Sequence, residues 1–114
     1  MLAAQHDFTI EGGARFLRII QWNDDAGNAV DLTGYTASMR CKYTKEHAVT
    51  IFDWGTVSGE IVLGGVNGSI TIDVGELVTV MLDFNRAVYN IELTPSGGVP
   101  IRLLEGSVIL SKRI

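Results

Sequence analysis

The clearest pattern in this chain is a strict alternation of apolar and polar positions over residues 36–43. The apolar or aromatic set consists of Ala37, Met39, Cys41 and Tyr43. The polar set consists of Thr36, Ser38, Arg40 and Lys42. A period of two is typical of a β-strand with one buried and one solvent-facing side. We therefore predict a strand over this segment, with the apolar set facing the core.

The same period recurs downstream, over residues 69–74 and 86–94. The positions predicted to face inward there are Ile70, Ile72, Val74, Tyr89, Ile91 and Leu93. Just before the first of these strands lies a glycine-rich stretch, residues 64–68, that ends in Asn67 and Gly68. Both residue types tolerate a positive φ, which is typical of a hairpin turn. We predict that this turn joins strand 69–74 to the strand before it.

Weaker patterns add further strands. They are predicted over residues 8–10, 15–22, 49–54, 57–63, 99–104 and 107–111, with Gly106 as a bulge or bend between the last two. In strand 15–22 both faces are partly apolar, which is typical of a strand covered on both sides or lying in a subunit contact. Residues 24–28 and 95–98 have the composition of turns. The helix-like spacing of Leu77, Val78, Met81 and Leu82 predicts one short helical turn within residues 76–82.

These elements define the predicted fold class. The chain has seven to nine short strands, with turn signals about every 8–12 residues, which favours an antiparallel β-sandwich. We expect an all-β protein with at most one short helical turn. A length of 114 residues is that of one domain, so residues 1–114 are predicted to form a single β-sandwich domain.

Charge and hydropathy exclude several classes of partner. The net charge is −4, and the longest Lys/Arg run is Lys112–Arg113, so we expect no nucleic-acid binding. The apolar runs are shorter than the roughly 20 residues that span a bilayer, so no membrane partner is expected. Residues 1–7 lack the features of a signal peptide. Cys41 is the only cysteine, which precludes an intrachain disulfide and suits synthesis in a cytoplasm.

Residues 23–28 and Asp31 are rich in side-chain oxygens, which suit Ca²⁺. The calcium-loop order of alternating aspartates is absent, and Asn, Asp and Gly are also the residues that a tight turn requires. A turn is the favoured interpretation, and a weak cation site is the alternative.

Other residue types with known chemistry do not converge in the sequence. His6 and His47 lie in polar segments far apart and are expected to face solvent, whereas Cys41 is expected in the core rather than in a zinc or nucleophile site. Residues 64–68 lack the Gly-Lys-Ser/Thr of a phosphate-binding loop. We therefore predict no catalytic, cofactor-binding or metal-binding residues, no cofactor and no enzyme activity.

Three aromatic residues leave two interpretations open. Phe52, Trp54 and Trp22 could form a platform for a glycan or a partner protein, or they could pack in the core and against the sheet. Core packing is the favoured interpretation.

The order of turns and strands also resembles a known family. The residues that carry the resemblance are Trp22-x-Asp24-x-x-Gly27-x-x-x-Asp31-Leu32-Thr33-Gly34-Tyr35-Thr36-Ala37-x-Met39-Arg40, Gly68-x-Ile70-Thr71-Ile72, Tyr89-Asn90-Ile91-Glu92-Leu93-Thr94 and Arg102-Leu103-Leu104-Glu105-Gly106-x-Val108. Together they resemble the small immunoglobulin-like β-sandwiches of tailed-bacteriophage virions. The chain is similar, from Phe8 to Leu110, to the N-terminal domains of some upper-baseplate proteins and to short stand-alone structural proteins of phage particles.

The resemblance implies a non-enzymatic virion structural protein of the baseplate, tail, neck or capsid surface. Such a protein would be made and assembled in the host cytoplasm, would be located in the virion, and would contact other virion proteins and further copies of itself. Strands 15–22 and 86–94 are the candidate contact strands. The alternative is a carbohydrate- or host-surface-binding module that uses Phe52, Trp54 and nearby loops, and an enzyme or metal protein is a third hypothesis.

Overall fold

The computed structural model describes residues 4–112, which form nine β-strands and two short helical turns. The predictions about Met1, Leu2, Ala3 and Arg113 lie outside these residues. The strands are β1 (Ala4–Gln5), β2 (Phe8–Glu11), β3 (Phe16–Gln21), β4 (Thr36–Lys42), β5 (Thr50–Gly55), β6 (Ile61–Leu63), β7 (Ser69–Val74), β8 (Arg86–Thr94) and β9 (Ile101–Ser111). The helical turns are a 3-10 turn at Gly65–Asn67 and α1 at Glu76–Thr79. The protein is thus all-β in character, as the alternating patterns predicted.

The strands form two sheets. In sheet A the order is β1-β9-β8-β4-β5. Strand β2 also pairs with β9, at residues 108–111, whereas β1 pairs with residues 104 and 105 of the same strand. In sheet B the order is β3-β7-β6. Strand β8 therefore lies in the middle of sheet A between β9 and β4, while β3 and β6 form the edges of sheet B. This order decides which strands have a free edge for contacts.

Side chains from both sheets meet in a common core. Its most completely buried members are Ile10, Phe16, Leu32, Met39, Cys41, Ile61, Ile70, Ile72, Val74, Ala87, Ile91, Leu93 and Val108. All of them except Leu32 lie in strands, where they occupy alternate positions because successive side chains of a strand point to opposite faces. Full burial of each large apolar side chain contributes about 1.5–3 kcal/mol to folding, so these positions are the main source of stability.

The strongest alternations predicted the strands best. Strands β7 and β8 have the predicted bounds, and β4 begins at the predicted Thr36. The prediction was wrong for Tyr43, which lies beyond β4 and is 45% exposed. Its hydroxyl Oη lies 3.4 Å from the backbone oxygen of Asp83 instead. The chain has left the sheet at this point, so the period of two no longer determines which way the side chain faces.

The predicted strand 57–63 is too long, because only Ile61–Leu63 pairs with β7. The preceding residues form a turn in which Gly59 has a φ of +95° and Val57 is 96% exposed. The Glu60 carboxylate stabilises this turn, since Oε1 accepts hydrogen bonds from the Ser58 hydroxyl and the Gly55 N–H. Valine favours strands, but here the hydrogen-bonded turn prevails over that preference.

The sheets are not wholly antiparallel, which corrects a second prediction. Strands β1 and β2 run parallel to β9. Residues 99–104 and 107–111 were predicted as two strands, yet β9 is continuous from Ile101 to Ser111. Its irregularity lies at Leu103, because Ile91 opposes Leu104 and Glu92 opposes Arg102. Gly106 is therefore not the bulge.

The two turns predicted on either side of β7, at residues 64–68 and within residues 76–82, are both confirmed. Residues 64–68 connect the antiparallel strands β6 and β7, but only Gly65 and Gly68 have a positive φ, at +66° and +71°. Asn67 belongs to the 3-10 turn. Helix α1 is the predicted helical turn, so the described residues contain two helical turns rather than at most one. None of the described helices is long and apolar enough to cross a membrane.

Candidate protein-contact surfaces

Exposed apolar side chains gather around α1. Leu77 and Met81 are 79% and 80% exposed, and Val78 and Val80 are about half exposed, at 46% and 49%. We call these four residues the α1 patch. Single exposed apolar residues are ordinary, whereas neighbouring ones mark candidate contact sites. Leu77 and Val78 lie in α1, and Val80 and Met81 follow it directly in the chain.

Thr79 fixes the α1 patch to the rest of the protein. It is fully buried within α1, between the exposed members of the patch. Its hydroxyl Oγ1 donates to the backbone oxygen of Ala14 at 2.7 Å and accepts from the Gly13 N–H at 3.1 Å. Both of these groups belong to the connection between β2 and β3. The exposed side chains are thus presented on an anchored turn rather than on a loose loop.

A small cavity adjoins the α1 patch. It has a volume of about 210 Å³ and is lined by Gly12, Val80, Leu82, Leu110 and Lys112. Val80 is common to the patch and the cavity, so the two surfaces are continuous. An ion pair borders the cavity on one side, because Lys112, one of its lining residues, has its Nζ 3.0 Å from an Asp83 carboxylate oxygen.

The outer face of sheet B carries a second group of exposed apolar residues. Ile19 and Val62 are 68% and 59% exposed, and both oppose Thr71, so the three form one row across the sheet. Leu17 lies on the same face of β3. The predicted contact strand 15–22 corresponds to β3, and the structure places it at a sheet edge with apolar side chains in solvent.

A bidentate ion pair lies at one end of that face. Arg15 Nε is 2.8 Å from Asp73 Oδ1, and Arg15 Nη2 is 2.7 Å from Asp73 Oδ2. The hydrogen bonds from Arg15 hold the pKa of Asp73 below its usual value, against a smaller desolvation effect. Such two-pronged contacts hold both side chains in one geometry.

The second predicted contact strand, 86–94, is β8. It has no free edge because β9 and β4 pair with it on both sides. Only its outward side chains are available for contacts, and those at Val88, Asn90 and Glu92 are half-buried. Any contact through β8 must therefore be made with the outer face of sheet A.

Five polar side chains form one row across the whole outer face of sheet A. Following the register from edge to edge, the row consists of Gln5, Glu105, Asn90, Arg40 and Asp53. Gln5 Nε2 lies 2.9 Å from Glu105 Oε2, and Arg40 Nη2 lies 3.0 Å from Asp53 Oδ2. Directly opposed residues of neighbouring strands interact in this way. Asn90 stands in the middle, between the two pairs.

Three residues of this row, Glu105, Asn90 and Arg40, line a groove of about 260 Å³ that is rich in positive charge. Its charged lining residues are Arg40, Lys42, Lys45, Arg102, Glu92 and Glu105. Four cations stand against two carboxylates, a net charge of +2 in a chain whose net charge is −4. We call this surface the sheet A groove. Its sign is opposite to that of the protein as a whole.

Glu105 is the central anion of the sheet A groove. Lys45 Nζ lies 3.6 Å from Oε2, and Arg102 Nη1 lies 3.4 Å from Oε1. The hydrogen bond from Gln5 lowers the pKa of Glu105, partial burial opposes it, and the charges of Lys45 and Arg102 lower it further. Lys42 forms no ion pair with another residue in 4–112, so its charge is available to a partner.

The candidate cation loop is a hydrogen-bonded turn. Asp24 Oδ1 accepts from the N–H groups of Ala26 and Asn28, and Asp31 Oδ1 accepts from the N–H and hydroxyl of Thr33. These contacts are typical of aspartates that shape turns. Within residues 4–112, no three His, Cys, Asp or Glu side chains form a group that could hold a metal ion.

The histidines and the cysteine lie where the sequence predicted. His6 and His47 are exposed, and each packs edge-on against an aromatic ring, that of Phe8 and that of Tyr43 respectively. Cys41 is fully buried, and burial raises the pKa of its thiol to about 12. A thiol in this state is a poor nucleophile.

The aromatic residues support the core interpretation. Phe52 and Trp54 are 7% and 5% exposed, and their rings stack with centroids 3.7 Å apart. Trp22 is half-buried and packs edge-on against Tyr35. With two of the three rings in the core, the proposed aromatic platform is not available to a ligand.

Sequence reasoning found neither the α1 patch nor the sheet A groove. The apolar run near Leu77 was visible, and its shortness could have indicated exposure. The groove depends on which strands are neighbours, and nothing local in the sequence specifies that.

Comparison with known proteins adds no family assignment. No protein-family model matches this chain, and no curated protein matches it in sequence. The structure shows a small all-β protein with two groups of exposed apolar side chains and one polar groove.

Proposed function

We propose that this chain is a non-enzymatic structural protein of a tailed-bacteriophage virion, a component of the baseplate, tail, neck or capsid surface. It acts through protein–protein contacts and assembly, with other virion proteins and further copies of itself as partners. The observation that carries a contact role is the α1 patch, which Thr79 holds in place while its apolar side chains remain in solvent. Covering Leu77 and Met81 with a partner would gain about 1.5–3 kcal/mol for each side chain that becomes fully buried.

The finer fold assignment is part of the same proposal. In an immunoglobulin-like sandwich, one sheet contains the strands G, F, C and C′, and the other contains B, E and D. The order β9-β8-β4-β5 in sheet A and β3-β7-β6 in sheet B supports this assignment, because it follows if β3 to β9 correspond to B, C, C′, D, E, F and G. The resemblance of the sequence to virion sandwiches gives independent support.

The alternative function is a carbohydrate- or host-surface-binding module. The burial of Phe52 and Trp54 counts against it, because such a module needs aromatic faces in solvent to stack on sugars. The α1 patch and the exposed apolar residues of sheet B contain no aromatic ring, which favours a protein partner over a glycan.

Analysis of purified particles tests the virion role. Particles from an infected culture are banded on a density gradient, and their proteins are quantified by mass spectrometry beside the particle-free lysate. We expect this chain to co-purify with the particles, in a fixed ratio to the major capsid protein across the gradient. Abundance in the lysate together with absence from intact particles would overturn the proposal.

A further inference from the structure

We infer that the sheet A groove binds the acidic turn at residues 23–31 of a second copy of this chain. The inference rests on the proposal that the protein assembles with copies of itself, and it names the surfaces involved. The contact would be heterologous, since two different surfaces of the same protein meet.

Positive and negative charges are separated on the surface of this protein. The sheet A groove has a net charge of +2 while the whole chain has −4, so the rest of the chain carries −6. Four of the nine Lys and Arg residues lie in this one groove. A cleft lined mainly by one sign of charge concentrates its field and attracts the opposite charge. A second copy therefore offers an acidic surface to a basic groove.

The turn at residues 23–31 is the acidic segment that fits the groove. Residues 19–39 contain Asp24, Asp25 and Asp31 and no Lys or Arg. All three carboxylates are exposed. The turn is already ordered by the hydrogen bonds to Asp24 Oδ1 and by the Asp24 N–H bond to the Asn28 oxygen. Because its shape is fixed beforehand, little conformational entropy is lost when it docks.

Within one molecule, the acidic turn and the groove belong to different sheets. The acidic turn is tied to sheet B, where the Trp22 N–H donates to the Gly68 oxygen and the Leu32 N–H to the Gly65 oxygen. The groove lies on the outer face of sheet A, which points away from sheet B. A protein cannot therefore fill its own groove with its own turn. Heterologous contacts of this kind build rings when they close and filaments when they do not.

The groove also offers groups that fit carboxylates. Lys42 has no ion pair within residues 4–112, and Asn90 makes no side-chain hydrogen bond there. Arg40 is held in place by Asp53 and remains more than half exposed. Two cations and an amide on adjacent strands thus face the same space, with Glu105 already neutralised by Lys45 and Arg102.

Charge reversal of the two surfaces tests the inference on the purified chain alone. Lys42→Glu alters the groove and Asp25→Lys alters the turn, and neither residue forms an ion pair among those described. Sedimentation velocity over a concentration series, in 20 mM and in 500 mM NaCl, measures association. Arg86→Glu and Glu11→Lys are the matched controls, since both change an exposed charge outside the groove and the turn.

We expect the wild type to associate in low salt and to dissociate in high salt, because salt screens exposed charges. Each single reversal should weaken association at least about tenfold, since like charges across an interface are repulsive, and the controls should not. An equimolar mixture of the two reversed variants should associate again, because the carboxylate introduced at position 42 of one variant can pair with the ammonium introduced at position 25 of the other.

Three results would overturn the inference. They are a wild type that stays monomeric at every concentration, association unchanged by Lys42→Glu or by Asp25→Lys, and a mixture that fails to associate although each variant keeps the wild-type melting temperature. Because only the purified protein is used, failure here is separate from absence of the chain from virions.

Discussion

The hydroxyl of Tyr89 donates a hydrogen bond of 2.5 Å to the backbone oxygen of His6. Tyr89 lies in β8, so this bond ties the N-terminal segment to a strand that is not its neighbour in the sheet. The Asp7 carboxylate adds a second tie by accepting from the Ser107 N–H at 2.8 Å. Burial, followed by the charges of Asp7 and Glu105, raises the pKa of Tyr89, so its phenol stays protonated as a donor.

Gly106→Ala should loosen the N-terminal strands. A Cβ at this position would lie 2.1 Å from the His6 oxygen, closer than any real contact. The N-terminal segment must then shift, and overpacking of this kind costs about 1–3 kcal/mol. We expect a lower free energy of unfolding in urea and faster hydrogen exchange in β1 and β2. Gly75→Ala is the control, because its φ is −72° and no atom lies within 4 Å of the added methyl. Equal effects of the two substitutions would contradict this account.

Thr79→Val should destabilise the protein while keeping the size of the side chain. It removes the hydroxyl that pairs with Gly13 and Ala14 and leaves two backbone groups without that partner, which costs about 1–3 kcal/mol. Urea unfolding measures the loss. Thr79→Ser keeps the hydroxyl and should recover most of it. Thr36→Val, at an exposed position of β4, should change stability by less than about 0.5 kcal/mol. A Thr79→Val protein as stable as the wild type would show that the bond does not anchor α1.

The Arg15–Asp73 pair should make a pH-dependent contribution to stability. Because the pKa of Asp73 is lower in the folded than in the unfolded protein, the contribution is present above the unfolded value of about 3.9. It is lost as the pH falls through the folded value. Arg15→Gln should raise the pKa of Asp73 towards its usual value in an NMR titration. Arg86→Gln, which loses only a bond to the Ser107 hydroxyl, should leave it unchanged. An Asp73 pKa that is the same in the Arg15→Gln variant as in the wild type would contradict the assignment of its cause to Arg15.

Polar substitutions in the α1 patch should reduce assembly and spare folding. Leu77→Asn with Met81→Gln changes only exposed side chains, so the melting temperature should stay close to that of the wild type. Loss of two apolar contacts should lower incorporation into particles about tenfold or more, measured by mass spectrometry of complemented phage. Val57→Asn is the matched control, since Val57 is as exposed but lies in the turn before β6. Equal incorporation of both variants would exclude the patch as a contact.

Local patterns in the sequence predicted the interior of the fold well. The alternation around Ile72 and Ile91 specified β7 and β8 to the residue, because a strand with one buried face must repeat with a period of two. The burial of Cys41 and the turn at Asp24 followed from similar local rules. Local preference failed at Val57, where hydrogen bonds to Glu60 form a turn instead.

Features of the fold that depend on the pairing of distant segments could not be predicted from the sequence. The parallel pairing of β1 and β2 with β9 joins residues about 100 positions apart, such as Phe8 and Val108. The role of Gly106 follows from that pairing, since it is His6 that approaches it. The sheet A groove likewise needs Arg40, Asn90 and Glu105 in register, and no property of any one strand reveals the row.

A cryo-electron microscopy map of the intact particle tests the central claim most directly. If the chain is a virion structural protein, the map should contain density that fits sheets A and B, repeated with the symmetry of the part it belongs to. Leu77 and Met81 should be covered there by a neighbouring protein. A well-resolved map of the whole particle without such density, or with the α1 patch facing solvent in every copy, would contradict the account.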